Sequence, residues 1–341
     1  MSTRTPEAVG RRCSTAGRAL AVVLAVMSMS CGDDPPTAPT APSLPPIPVL
    51  ALACPATVLG QSTTGQPVSI QLPAPTASGG VLPVTVSCTP SGTPFPIGTT
   101  AVACRAIDAQ GSQATCSFNV VVAPPPLPRT SFLAFGDSLT AGEITMPVGG
   151  ALDEGGFPLF KLVVVPAESY PAELLTLLRN RYVTQAAQFV VTNAGLSREW
   201  AADAPKRFAT VLAASGAQVV LLMEGTNDLQ ALGTRGINPA LTGLQGMIRQ
   251  ARAAGAFVFV ASLPPSRPGG VNSVPISLIQ ALNEQIRIGA PAEGAIFVDV
   301  YAAMVSEAPT LIGVDGLHPT EAGYQRIAET FFAAIRTFEG Q

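Results

Sequence analysis

Five continuously apolar runs, at residues 132–135, 189–192, 219–223, 256–261 and 295–300, set the strongest constraint on how this chain can fold. A strand covered on both faces carries such a run, whereas a strand with one wet face alternates apolar and polar residues. Between and after the runs lie stretches with helical spacing of apolar residues, at 171–181, 200–214, 239–254, 276–288 and 320–337. Ser169 and Pro171 supply a start signal for the first of them. Runs alternating with helices predict an α/β domain over 131–338, with an open, mostly parallel sheet between two helical layers.

Ligands of such sheets bind beyond the carboxyl ends of the strands, so the segments after the runs are where chemistry is expected. The first run leads into Gly136-Asp137-Ser138-Leu139 and the second into Asn193-Ala194-Gly195-Leu196-Ser197. The third leads into Glu224-Gly225-Thr226-Asn227-Asp228, and Asp315-Gly316-Leu317-His318-Pro319 precedes the last helical stretch. A serine hydroxyl needs a base to act as a nucleophile at neutral pH. His318 is the single histidine of the chain, and imidazole is the side chain that ordinarily titrates in the range this task needs. Such a base is oriented by a carboxylate on its other nitrogen, and Asp315 lies one turn away. A tetrahedral intermediate needs preorganised donors. Gly195 has no side chain to keep its N–H at a distance, and Asn227 offers an amide.

Neighbouring residues carry plainer readings. Glu224 and Asp228 flank Asn227 and shape the loop. Glu199 and Trp200 line a substrate groove or start a helix. Residues 143–165, with Gly149-Gly150 and Gly155-Gly156, read as a mobile loop over the site, either a specificity element or a simple insertion.

The N-terminal part has a different texture. Residues 1–31 combine Arg4, Arg11, Arg12 and Arg18 with a short apolar run ending at Ser30-Cys31, the layout of an export signal too short to span a membrane as an ordinary helix. Residues 32–50 and 124–130 are Pro-rich spacers. Between them, at 51–123, short β-branched runs (67–72, 82–88, 99–105 and 115–122) alternate with Gly, Pro, Ser and Thr clusters, the pattern of a small antiparallel sandwich. Cys54, Cys88, Cys104 and Cys116 all fall in this segment. Downstream of an export signal they read as two disulfides rather than a zinc site, since no Cys-x-x-Cys pair or nearby histidine accompanies them. No cysteine follows residue 116, which excludes a cysteine nucleophile from the α/β domain. A net charge of −3, with 12% charged residues, provides no basic field for nucleic acid.

Three resemblances sharpen these expectations. The four blocks after the runs resemble the signature of the SGNH, or GDSL, hydrolases. That resemblance implies a flavodoxin-like three-layer fold and cofactor-free, metal-free ester hydrolysis through an acyl-enzyme. Ser138 is then the nucleophile, Asp315 and His318 complete the triad, and Ser138, Gly195 and Asn227 supply the oxyanion donors. Cys54-Pro55, residues 83–88, residues 95–100, Cys104 and Cys116-Ser117-Phe118 resemble the hyalin repeat (HYR), an immunoglobulin-like extracellular module without catalysis. Within it, Cys88–Cys104 joins neighbouring runs and Cys54–Cys116 ties the two ends. Met27-Ser28-Met29-Ser30-Cys31 resembles a bacterial lipobox, with Ser28 where leucine is favoured. It implies lipidation at Cys31 and anchoring to the cell envelope, with plain secretion as the alternative. The substrate classes left open are small-molecule, lipid and acetylated-glycan esters, and the oligomeric state is unspecified. Two other functions stay open: a surface adhesion protein with an inactive hydrolase domain, and an acyltransferase to sugars.

Overall fold

The computed structural model describes residues 47–92, 94–152 and 158–339. The basic and apolar N-terminus with Cys31, nearly all of the first Pro-rich spacer, and Gly155-Gly156 lie outside the described residues.

The first module contains β1 (Ala51–Ala53), β2 (Val58–Gln61), β3 (Thr76–Ser78), β4 (Thr85–Thr89), β5 (Gly98–Ile107) and β6 (Gln113–Ala123). One sheet has the order β2-β6-β5-β4, and β1 pairs with β3 in a second. Along β5 and β6, Val102, Cys104, Phe118, Val120 and Val122 point inward and meet Phe95. Cys54 is bonded to Cys116 and Cys88 to Cys104. Two details depart from an all-antiparallel reading. Strand β2 runs parallel to β6, and the run at 67–72 forms only a bridge between Val68 and Phe95. Pro67 and Pro73 bracket that run and lack the N–H groups a ladder needs. A HYR-like sandwich closed by two disulfides belongs to an oxidising, extracellular setting.

The second domain contains β7 (Ser131–Gly136), α1 (Ser138–Ala141), β8 (Glu143–Leu152), β9 (Pro158–Val164), α2 (Tyr170–Arg181), β10 (Val190–Gly195), α3 (Pro205–Ser215), β11 (Val219–Met223), α4 (Thr226–Leu232) and α5 (Ile237–Ala253). It ends with β12 (Phe257–Ala261), α6 (Ile276–Ala292), β13 (Ile296–Val298), α7 (Val300–Met304), α8 (Ala308–Leu311) and α9 (Glu321–Glu339). All five strands of the main sheet are parallel, in the order β10-β7-β11-β12-β13. In chain order of those strands this is 2-1-3-4-5, the flavodoxin-like winding.

The apolar runs explain the layers. In β7, Phe132 and Ala134 enter one core with Leu174, Tyr324 and Phe331 of α2 and α9. Leu133 and Phe135 enter the other core with Phe208, Leu244 and Ile286 of α3, α5 and α6. Fully burying each large side chain is worth about 1.5–3 kcal/mol, so neither face of β7 tolerates a polar residue.

The register then positions the site. Gly136 at the end of β7 lies opposite Gly195 of β10 and Met223 of β11. Three strands therefore end level, and the segments following them emerge together.

Two expectations change. The stretch at 143–165 contains the antiparallel ribbon β8–β9 rather than an irregular loop. The second Pro-rich spacer is fastened along its length. Leu127 is buried in the domain core, its backbone exchanges hydrogen bonds of 2.8 and 3.0 Å with the Gln185 side chain, and Arg129 sits 3.6 Å over the Phe257 ring.

Candidate active site

Ser138 opens α1 directly after β7. Asp137 caps this short helix, its Oδ1 accepting from the Leu139 N–H at 2.9 Å. The turn aims the Ser138 hydroxyl at His318, with Oγ and Nε2 2.9 Å apart. On the other ring edge, His318 Nδ1 lies 2.6 Å from Asp315 Oδ2. With the Nδ1 proton given to Asp315, Nε2 is free to accept the serine proton. Ser138 and His318 are 5% and 4% exposed and Asp315 is fully buried, so little water competes for these bonds.

A tight turn makes the carboxylate reach the ring. Asp315 Oδ1 accepts from the N–H groups of Leu317 and His318 at 3.2 and 3.1 Å. Gly316 adopts φ +88°, which a side chain disfavours, and a Cβ there would collide with Ser273 Oγ. The loop after β12 clamps the turn from outside. Asn272 donates its backbone N–H to the Asp315 carbonyl at 2.8 Å and its amide to Asp315 Oδ2 at 3.1 Å. Burial alone would raise the Asp315 pKa. The hydrogen bond and charge of His318, with the bonds from Asn272 and Leu317, outweigh it and hold the carboxyl below its ordinary value. Asn272 carries no motif signal, because it meets Asp315 only through the loop after β12.

Asn227 sits in the first turn of α4, after β11. Its Nδ2 donates to the Glu199 carbonyl at 2.8 Å and contacts Asp137 Oδ2 at 3.4 Å. Gly195 behaves differently from the expectation. Its N–H is spent on Asn193 Oδ1 at 2.9 Å, and a Cβ there would fall 2.1 Å from the Ala141 backbone nitrogen. The glycine serves close packing of β10 against α1 and does not present a free donor. Arg198 instead is the one non-glycine residue with positive φ among the described residues, at 68°. It lines a cleft of about 560 Å³ with Trp200, Asn227, Gln230, Ala231, Val271 and Ser273. The larger cavity, about 770 Å³, lies among Arg129, Leu212, Gln250 and Phe257. It holds none of the four blocks and offers no nucleophile.

Buried carboxyl groups underlie the cleft. Glu199 forms a two-pronged ion pair with Arg207, which also bonds the Ala194 carbonyl at 3.0 Å and covers the Phe135 ring. Asp228 is spent on the N–H groups of Ala201 and Ala202. Glu224 is fully buried and no donor reaches either oxygen. Burial first, then Asp137 and Glu199, push its pKa well up, which favours the neutral acid.

Asp137 is also fully buried, and its pKa is pushed up to about 7, chiefly by burial and further by Asp228 and Glu199, against the Leu139 hydrogen bond and His318. A raised carboxyl pKa means that the folded protein keeps a proton which the unfolded chain has released. Stability from this group is therefore present below pH 4 and is lost as pH rises toward 7. Asp137→Asn should remove that loss, gaining on the order of 4 kcal/mol at pH 8 and little at pH 4. Melting temperatures of both proteins across pH 4–8 check this, and parallel curves would refute it.

Residues 134–326 match the family described as GDSL-like lipase/acylhydrolase, and residues 50–122 match the HYR domain. The chain is 28% identical to esterase TesA of Pseudomonas aeruginosa over 166 residues, covering 48% of this chain and 77% of that protein. Among solved structures, a carbohydrate acetylesterase from Sinorhizobium meliloti aligns with a TM-score of 0.48 and 19% identity, covering 62% of this chain and all of that one (100%). An acetylxylan esterase from Geobacillus stearothermophilus aligns with a TM-score of 0.46 and 18% identity, over 61% and 94%. The chain thus belongs to the GDSL-like lipase/acylhydrolase family and is an ester hydrolase preceded by a HYR domain.

Proposed function

We propose that this protein hydrolyses carboxylic esters through an acyl-enzyme on Ser138. The observation that carries the reading is the continuous line Ser138 Oγ, His318 Nε2, His318 Nδ1, Asp315 Oδ2, with steps of 2.9 and 2.6 Å. Ser138 Oγ attacks the ester carbonyl carbon while its proton passes to His318 Nε2. The ester C–O bond then breaks, and the imidazolium returns that proton to the departing alkoxide. In the second half, a water gives a proton to Nε2 and its oxygen attacks the acyl carbon. The acid leaves and Ser138 recovers its proton.

Negative charge on the carbonyl oxygen is met by the Ser138 N–H at the start of α1 and the Asn227 amide. Arg198, which lines the cleft beside Asn227 with positive φ, is the candidate for the backbone-donor role first read onto Gly195. The mixed lining of that cleft, one tryptophan among Arg198, Gln230 and Ser273, favours a small acyl group on a polar alcohol, such as an acetylated glycan, over a long-chain lipid. The discriminating experiment compares p-nitrophenyl acetate, p-nitrophenyl palmitate and acetylated xylooligosaccharides, with products resolved by mass. Preference for palmitate would overturn the substrate reading. Acylated acceptor in place of free acid would make the protein a transferase.

We also propose that Cys31 is lipidated and tethers the mature protein to the envelope. Cys31→Ala should abolish metabolic labelling with a fatty-acid probe and shift the protein from the membrane fraction to the medium. Unmodified wild-type protein in the medium would establish plain secretion.

A further inference from the structure

We propose that Glu143 selects the leaving alcohol, favouring esters of polyhydroxylated alcohols and disfavouring esters with an anionic group beside the ester oxygen. The inference rests on the acyl-enzyme reading of Ser138 and His318. Glu143 opens β8, in the stretch whose sequence reads only as a loop. Its backbone carbonyl accepts from the hydroxyl of fully buried Tyr324 at 2.7 Å. Its Oε2 accepts from Ser197 Oγ at 2.8 Å and lies 3.7 Å from His318 Nε2. The side chain is 14% exposed. Among the described residues no lysine or arginine pairs with it, and the Oε1 oxygen accepts no hydrogen bond. The carboxylate is thus fixed at both ends, mostly withdrawn from water, and left with unused acceptor capacity.

His318 thereby has a carboxylate on each edge. Asp315 holds Nδ1, the edge that stays put. Glu143 faces Nε2, the edge where protons change hands. The departing alkoxide must come within hydrogen-bond reach of Nε2, at about 3 Å, to collect its proton. Any leaving alcohol therefore passes within a few ångströms of Glu143.

An alcohol with a hydroxyl on the neighbouring carbon can donate that hydroxyl to the carboxylate, a charge-assisted bond roughly twice as strong as a neutral one. A plain alkyl alcohol sets carbon against the carboxylate and strips its water without replacing it. A phosphate in the same place meets like charge.

The test uses the full-length protein as wild type, Glu143→Gln and Glu143→Ala. For each, kcat/KM is measured on glyceryl monoacetate, ethyl acetate, 2-acetoxyethyl phosphate and p-nitrophenyl acetate, with melting temperature as a fold control. Ratios between substrates within one protein cancel any general loss of activity. Wild type should prefer glyceryl monoacetate over ethyl acetate. That preference should fall about tenfold in Glu143→Gln, which keeps the shape and loses the charge, and at least as far in Glu143→Ala. The relative rate on the phosphate ester should rise in both. Unchanged ratios in two folded variants that still cleave p-nitrophenyl acetate would overturn the role of Glu143 and leave the hydrolase reading standing. Wild type inactive on all four esters would instead fail the hydrolase reading and take this inference with it.

Discussion

Ser138→Ala and His318→Ala are each expected to lose on the order of 10⁴-fold or more in kcat on p-nitrophenyl acetate while keeping the wild-type melting curve. The size follows from the connectivity. Ser138 supplies the bond-forming oxygen, and His318, the single histidine of the chain, is the base within 2.9 Å of it. Neither change removes a large apolar side chain from the core. Because the two groups act as one unit, the double variant should be no worse than either single one. Asp315→Asn should lose activity as well. Its amide nitrogen would face the ring N–H at the 2.6 Å contact, which a carboxylate fills and an amide donor cannot. A serine-directed phosphonate should label wild type at the peptide containing Ser138 and leave Ser138→Ala unlabelled. A folded Ser138→Ala protein with near wild-type kcat would overturn the mechanism.

Much of this site is legible in the sequence because the parallel sheet does the assembling. Ser138 and Asn227 each follow a strand whose apolar run is visible, and level strand ends bring them together without further information. Asp315 and His318 are local partners, so one turn joins them. What escapes the sequence depends on contacts between distant segments. Asn272 braces Asp315 from a polar loop with no periodicity. Glu143 meets His318 from the first residue of β8, in a stretch that carries no motif. Gly195 is correctly placed after its strand, yet Asn193, two residues earlier, takes its N–H. A glycine at a strand exit signals close approach of backbone, and the approaching partner here is α1. Helix starts shift for a related reason. Ala201 and Ala202 give their N–H groups to Asp228, so the helix expected from Trp200 begins at Pro205.

Asn227→Ala should lower kcat by about 100- to 1000-fold, or roughly 3–4 kcal/mol, with KM nearly unchanged. The amide nitrogen has two protons. The Glu199 carbonyl takes one at 2.8 Å and fixes the side chain. The other has only the long 3.4 Å contact to Asp137, a weak bond by distance. It is the proton available to an oxygen in the adjoining cleft. A neutral carbonyl gains little from it, and a charged tetrahedral oxygen gains much, so the loss falls on the transition state. Asp137 modulates the same proton. Ionised above pH about 7, it competes for the Asn227 amide, and protonated it releases it. The wild-type kcat advantage over Asn227→Ala should therefore shrink as pH rises from 6 to 9. A residue that only shaped the loop would behave otherwise. Its loss would lower the melting temperature, residual activity would follow the folded fraction, and the ratio to wild type would not vary with pH. Measuring kcat, KM and melting temperature on one preparation at each pH separates the two, and a stable variant with unchanged kcat would remove Asn227 from the oxyanion site.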